Sequence, residues 1–125
     1  MSVELTIDPT LSIPAHEQLT NQITGAILSG KLLPGSQLPT VRALARDLGI
    51  APGTVMRTYN SLSDAGYITT ARSKGTIVNG RKNNDAELAH HLTRLTQHYL
   101  AELHAFGFTE SDAIAELARL SGTEA

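Results

Sequence analysis

Glycine and proline cut the first 80 residues into short lengths, and no long element can be threaded through them. Gly30, the pair Pro34-Gly35, Gly49, Pro52 and Gly66 each stand where a helix would have to stop, turn or begin. Pro presets φ and tolerates the first helical turn, whereas Gly accepts the left-handed conformation that closes a helix. The lengths between these marks carry apolar residues at helical spacing. Leu19, Ile23 and Ile27 lie four apart and predict a helix from about Ser12 to Ser29. Thr40 caps a second, carrying Val41, Leu44, Ala45 and Leu48, which Gly49 ends. A third starts at Pro52, presents Val55, Tyr59 and Leu62, and stops at Gly66.

The period then changes. Two β-branched stretches, Tyr67 to Thr70 and Thr76 to Val78, flank Ala71-Arg72-Ser73-Lys74-Gly75, which predicts a hairpin with a cationic tip. Val3, Leu5 and Ile7 alternate ahead of the first helix, as a short strand or an ordered arm would. Arg81-Lys82-Asn83-Asn84-Asp85 is a polar break and the best candidate for a linker. Beyond it Leu88, Leu92, Leu95, Tyr99 and Leu103 form a sustained amphipathic stripe. Gly107 interrupts it, and Thr109 to Asp112 opens a last helix in the manner of a capping box, with Ile114, Leu117 and Leu120 as its expected buried face.

This order predicts a mainly α protein with a small β-hairpin: a winged helix-turn-helix domain over residues 1–80, then a two-helix dimerisation tail over 81–125. Composition narrows the alternatives. There is no cysteine for a disulfide or a thiolate metal site, and no apolar run of the roughly 18 residues that a membrane span needs. The N-terminus lacks the basic and apolar segments of a signal peptide, so a cytoplasmic protein is expected. The net charge of −2 hides two unlike parts. Up to Lys82 eight cations face five anions, while from Asn83 onward Arg94 and Arg119 face seven carboxylates. Such asymmetry points to a basic binding module joined to a different tail.

The residues from Gly30 to Val78 go further. Gly30-Lys31-Leu32-Leu33-Pro34-Gly35-Ser36-Gln37-Leu38-Pro39-Thr40-Val41-Arg42-Ala43-Leu44-Ala45, then Leu48-Gly49-Ile50, Thr54-Val55, Tyr59, Leu62, Gly66-Tyr67-Ile68 and Gly75-Thr76-Ile77-Val78 resemble the GntR family of bacterial transcription regulators. Glu17-Gln18-Leu19 is similar to the family's first-helix start, although His16 stands where an aromatic is usual. The short tail further resembles the YtrA subfamily, which lacks the large effector domain of other members. The expectation is a repressor that binds a pseudo-palindromic operator in double-stranded DNA as a homodimer, and the subfamily resemblance implies transporter or stress-response operons as targets. A small-molecule effector is unidentified.

Residue by residue, the resemblance implies that Arg42 contacts DNA, that Thr54 meets phosphate or base, and that Thr40 caps its helix and touches the backbone. It places Lys74 and Gly75 at the wing tip. Pro52 replaces a frequent arginine and Ser73 a usual wing glycine. Arg57 is therefore the candidate for compensating base readout, with Arg46 and Arg72 as phosphate clamps. Leu88, Leu92, Leu95, Tyr99 and Leu103 are the candidate dimerisation residues, since two helices in about 40 residues bury too little surface by themselves.

Other chemistries find less support. His90, His91, His98 and His104 lie along the tail, but no cysteine or tight carboxylate cluster completes a metal set, so no metal and no cofactor is expected. No nucleophile, base and orienting group come together in the pattern, and an enzyme is not expected. The competing reading is a winged-helix protein-interaction adaptor without specific DNA readout.

Overall fold

A computed structural model describes residues 3–122. Helix α1 spans Ala15–Leu28, strand β1 Gln37–Leu38, helix α2 Val41–Leu48 and helix α3 Pro52–Asp64. Strands β2 (Ile68–Ala71) and β3 (Gly75–Val78) follow, then helices α4 (Asn84–Ala105) and α5 (Glu110–Ser121). No helix among the described residues is long and apolar enough to cross a membrane. They fall into two compact units that part between Leu88 and Ala89.

In the first unit the helix ends lie close to where the punctuation puts them. Helix α1 begins three residues later than the apolar spacing suggests, because Pro14 occupies its N-cap with ψ 149° and disfavours helical backbone in the residue before it. Gly49 closes α2 in the left-handed region at φ 68°, and the Thr40 side chain caps the other end by accepting from the Ala43 amide at 3.1 Å. The hairpin gains a partner that periodicity does not reveal. β1 pairs antiparallel with β3, placing Gln37 opposite Ile77 and Leu38 opposite Thr76, so β3 is the central strand of three. A two-residue strand is too short to show alternation.

One aliphatic core holds these elements together. Leu19, Ile23 and Ile27 of α1 are buried against Val55, Tyr59 and Leu62 of α3, with Leu44 and Ala45 of α2, Ile68 of β2 and Val78 of β3 closing it. The segment before α1 is an ordered arm, without strand pairing. Leu5 is buried, with Val3 and Ile7 packed against the core. Two glutamines of α1 clamp its backbone. Gln18 accepts from the Asp8 amide at 2.9 Å and donates to the Asp8 and Ile13 carbonyls. Gln22 likewise engages both the amide and the carbonyl of Thr6.

The second unit is built differently. Residues between 95 and 103 of α4 and between 110 and 119 of α5, with Phe108 from the turn between them, line two open grooves of about 400 and 460 Å³. The capping box at α5 forms as expected: Asp112 N donates to Thr109 Oγ1 at 3.2 Å, and Thr109 N donates to Asp112 Oδ2 at 2.8 Å. The expected buried face of α5 does not form. Ile114, Leu117 and Leu120 are 54–68% exposed, and the buried residue is Ala113. Two helices share only one mutual face, and here the small side chain occupies it.

Candidate nucleic-acid interface

Helices α2 and α3 share the core and are joined besides by one long-range side-chain bond. Tyr59, buried in α3, donates its hydroxyl to the Pro39 carbonyl at 2.6 Å, immediately before the cap of α2. Burial pushes its pKa up to about 12, so it remains a donor through neutral pH. That bond ties the entrance of α2 to the middle of α3. Thr58, wholly buried one position earlier, donates to the His16 carbonyl at 2.9 Å and so binds α3 to the first turn of α1.

On this support the cationic candidates point outward. Arg42 and Arg46, four apart on α2, are both exposed, as is Arg57 on α3. Thr40 is exposed, while Thr54 is half-buried in the first turn of α3. Arg46 lies 3.9 Å from Asp47, both well exposed, a pairing too solvated to hold it. Beside Arg57 on α3, Met56 and Asn60 are also exposed; the pattern of apolar positions says nothing of their role. Neither α2 nor α3 carries an acidic residue in its first turn. The positive end of each helix dipole is thus not offset by a carboxylate of its own first turn.

The wing adds Arg72 and Lys74, both exposed at the tip of the hairpin. Gly75 has φ +71°, and a Cβ there would come within 2.9 Å of the Gln37 amide nitrogen. The same nitrogen donates to the Lys74 carbonyl at 3.0 Å. Gln37 therefore anchors the wing tip to β1, and Gly75 must lack a side chain for it to do so. No local signal marks Gln37, because its partner lies 37 residues away in the chain. From Thr40 to Gly75 five cations face Asp47 and Asp64 alone.

The dimerisation candidates separate into three environments. Leu88 is half-buried against the core of the first unit. Leu92 and Leu95 are 69% and 54% exposed. Tyr99 and Leu103 are half-buried and line the groove beside Ala113. Leu100, Ile114 and Leu117 join Leu95 and Tyr99 in lining the second, almost wholly apolar groove. The tail histidines have separate partners: His91 lies 3.3 Å from Arg94, His98 meets Glu102 at 3.2 Å and His104 meets Glu110 at 2.5 Å. Among the described residues no group of three or more metal-binding side chains gathers.

Comparison with known proteins gives this geometry a context. Residues 15–78 match the family model described as bacterial regulatory proteins, gntR family. The chain is 35% identical over 113 residues to the HTH-type transcriptional regulator Rv1152 of Mycobacterium tuberculosis, with 90% of each chain covered. It is 40% identical over 72 residues to the HTH-type transcriptional repressor YtrA of Bacillus subtilis, covering 58% of this chain and 55% of that one. Among solved structures it is similar to AraR(DBD) in complex with operator ORX1, at TM-score 0.53 and 26% identity over 62% of this chain and 98% of that one.

Proposed function

The chain belongs to the gntR family of bacterial regulatory proteins and is a DNA-binding transcription regulator, and from that premise we propose that it is a homodimeric repressor of a pseudo-palindromic operator, acting in the cytoplasm. The observation that carries the DNA-facing part is the outward set Thr40, Arg42, Arg46, Thr54 and Arg57 on two helices braced by Tyr59, with Arg72, Lys74 and Gly75 on an anchored wing. In this reading α3 enters the major groove, Arg42 and Arg57 reach base edges or the flanking phosphates, and Arg46, Arg72 and Lys74 hold the backbone. Repression is favoured by the name of the YtrA relative.

The dimer is proposed from the apolar surface of the tail. Leu92, Leu95, Ile114, Leu117 and Leu120 are all more than half exposed, and a second copy of the same surface covers them in a two-fold arrangement. This reading widens the mating surface from the α4 stripe to α5 and leaves Leu88 to the first unit. A small-molecule effector belongs in the groove lined by Tyr99, Leu103, Phe108, Asp112, Glu116 and Arg119, where charged and apolar groups meet. It would act by binding one arrangement of the dimer better than another.

The test is selection of duplexes from a random pool by the purified chain. The proposal expects an enriched sequence with two inverted half-sites. It also expects a loss of affinity of about a thousand- to hundred-thousandfold between about 50 and 200 mM salt, as six to ten phosphate contacts require. Failure to enrich any sequence, or a binding constant indifferent to salt, overturns it.

A further inference from the structure

A side-chain cluster outside the DNA-facing surface stands at the segment that composition marks as a polar break. Arg81, the first residue of that segment, keeps only 21% of its side chain exposed. Its guanidinium carbon lies 4.2 Å from the centre of the Tyr67 ring. Nη1 donates to the Ala65 carbonyl at 3.0 Å, and Ala65 is the C-cap of α3. Nη2 pairs with Oε1 of Glu87 in the first turn of α4. The other carboxylate oxygen of Glu87 accepts from the Tyr67 hydroxyl at 2.9 Å. Burial first, and then this hydrogen bond, raise the Tyr67 pKa and keep its proton in place.

The cluster closes a ring through three elements: the end of α3, the residue that enters β2, and the start of α4. Its surroundings are equally determined. Gly66 sits at φ +82°, where a Cβ would approach Arg81 Nη1 to 3.2 Å. Asn79 donates to the Gly66 carbonyl at 3.0 Å and accepts from Thr69 at 2.7 Å. Arg81 Nε is buried without a partner, so the two outer nitrogens carry the directional bonds. A forked, planar cation holds orientation in a way that a single ammonium does not.

We propose that Arg81, with Tyr67 and Glu87, is a positioning clamp that fixes the first turn of α4 against the end of the recognition helix and thereby sets the half-site spacing the dimer accepts. The proposal rests on the dimeric reading above. Helix α4 runs unbroken from Asn84 to Ala105, so an error at its base is carried along it. From Asn84 to Leu95 the helix advances about 17 Å, and a tilt of about 10° there displaces Leu95 by about 3 Å. That displacement is close to the rise of one base pair, about 3.4 Å. Loosening the clamp therefore blurs spacing by about one base pair without touching a residue that meets DNA.

The test uses the full chain and the selected operator rebuilt with its half-sites moved apart or together in single base-pair steps, alongside a duplex bearing one half-site. The wild-type chain is expected to prefer its best spacing over either neighbour by about tenfold, and Arg81→Gln and Glu87→Gln to reduce that preference to about threefold or less. Affinity for the single half-site and elution as a dimer stay at wild-type values. Tyr67→Phe, which keeps the ring under the guanidinium and removes one hydroxyl, shifts the profile the same way by less. Variants that discriminate spacing as sharply as wild type overturn the clamp alone. So do variants that lose affinity equally at every spacing and at the single half-site, because that is the mark of general destabilisation. A wild-type chain that ignores spacing overturns the dimeric reading and the clamp with it.

Discussion

The two units of this molecule treat their leucines in opposite ways. In the first, Leu19, Leu28, Leu32, Leu38, Leu44 and Leu62 are all at most 4% exposed, in a core drawn from three helices and a sheet. In the second, Ala113 is the one buried residue among those described, while seven of the eleven large exposed hydrophobics lie there. Apolar spacing is equally regular in both. The difference teaches that an amphipathic pattern reports a face requiring cover, and that the cover must come from enough surrounding elements or from another chain. The helix starts differ in the same direction. α5 of the second unit opens with Glu110 and Asp112, whereas α2 and α3 of the first open without acids. Helix α5 thus meets its own dipole with carboxylates, while α2 and α3 do not.

The comparison breaks most visibly at the exposed leucines. Replacing Leu92 and Leu95 together by Asp is expected to give monomers in sedimentation, and to weaken binding to the two-half-site operator by about a hundred- to ten-thousandfold as the second contact is lost. A double variant that stays dimeric would show that the tail is covered some other way. Leu62→Ala tests the opposite unit. With Leu62 only 1% exposed, the lost packing should cost about 2–5 kcal/mol in chemical denaturation, by the same amount at every protein concentration. A concentration-dependent loss would mean the two units do not differ in self-sufficiency.

Arg42→Ala sharpens the contrast from the DNA side. It is expected to weaken operator binding by about 1–3 kcal/mol with thermal stability unchanged, while Arg119→Ala, on the acidic tail, leaves affinity where it was. Thr40→Ala removes the cap of α2 and should lower the unfolding free energy by about 1 kcal/mol, readable in the same denaturation curves. At neutral pH the smallest effect is that of Tyr59 ionisation. Its pKa is about 12 in the fold against an ordinary 10.0. The unfolded chain therefore gives up this proton first, and the stability it confers is full below pH 10 and lost as pH rises through 12. Tyr59→Phe should flatten that alkaline decline in a pH series of melting curves.

Much of the fold and part of the candidate interface were legible because they are local. The cap at Thr40, the left-handed closure at Gly49 and the capping box from Thr109 to Asp112 each depend on residues within one turn. Arg42, Arg46, Arg57, Arg72 and Lys74 could be read as outward because they fall off the apolar spacing, and all five are exposed. The face of α5 was misread for the converse reason: spacing identifies Ile114, Leu117 and Leu120 as one side of a helix, but not whether this chain supplies the opposing surface. Gln37 and Arg81 were illegible as anchors, since each acts on an element whose closeness only the folded chain creates.

Read alone, the chain reveals the order of the helices, most of their ends, which side of each is apolar, and that a hairpin follows the third, because glycine, proline and apolar period act through φ, ψ and neighbours one turn away. The tertiary structure alone decided that two glutamines hold the arm, that Gln37 fixes the wing tip, and that Arg81 binds the end of α3 to the start of α4. Those contacts join atoms whose separation is set by the packing of the whole core.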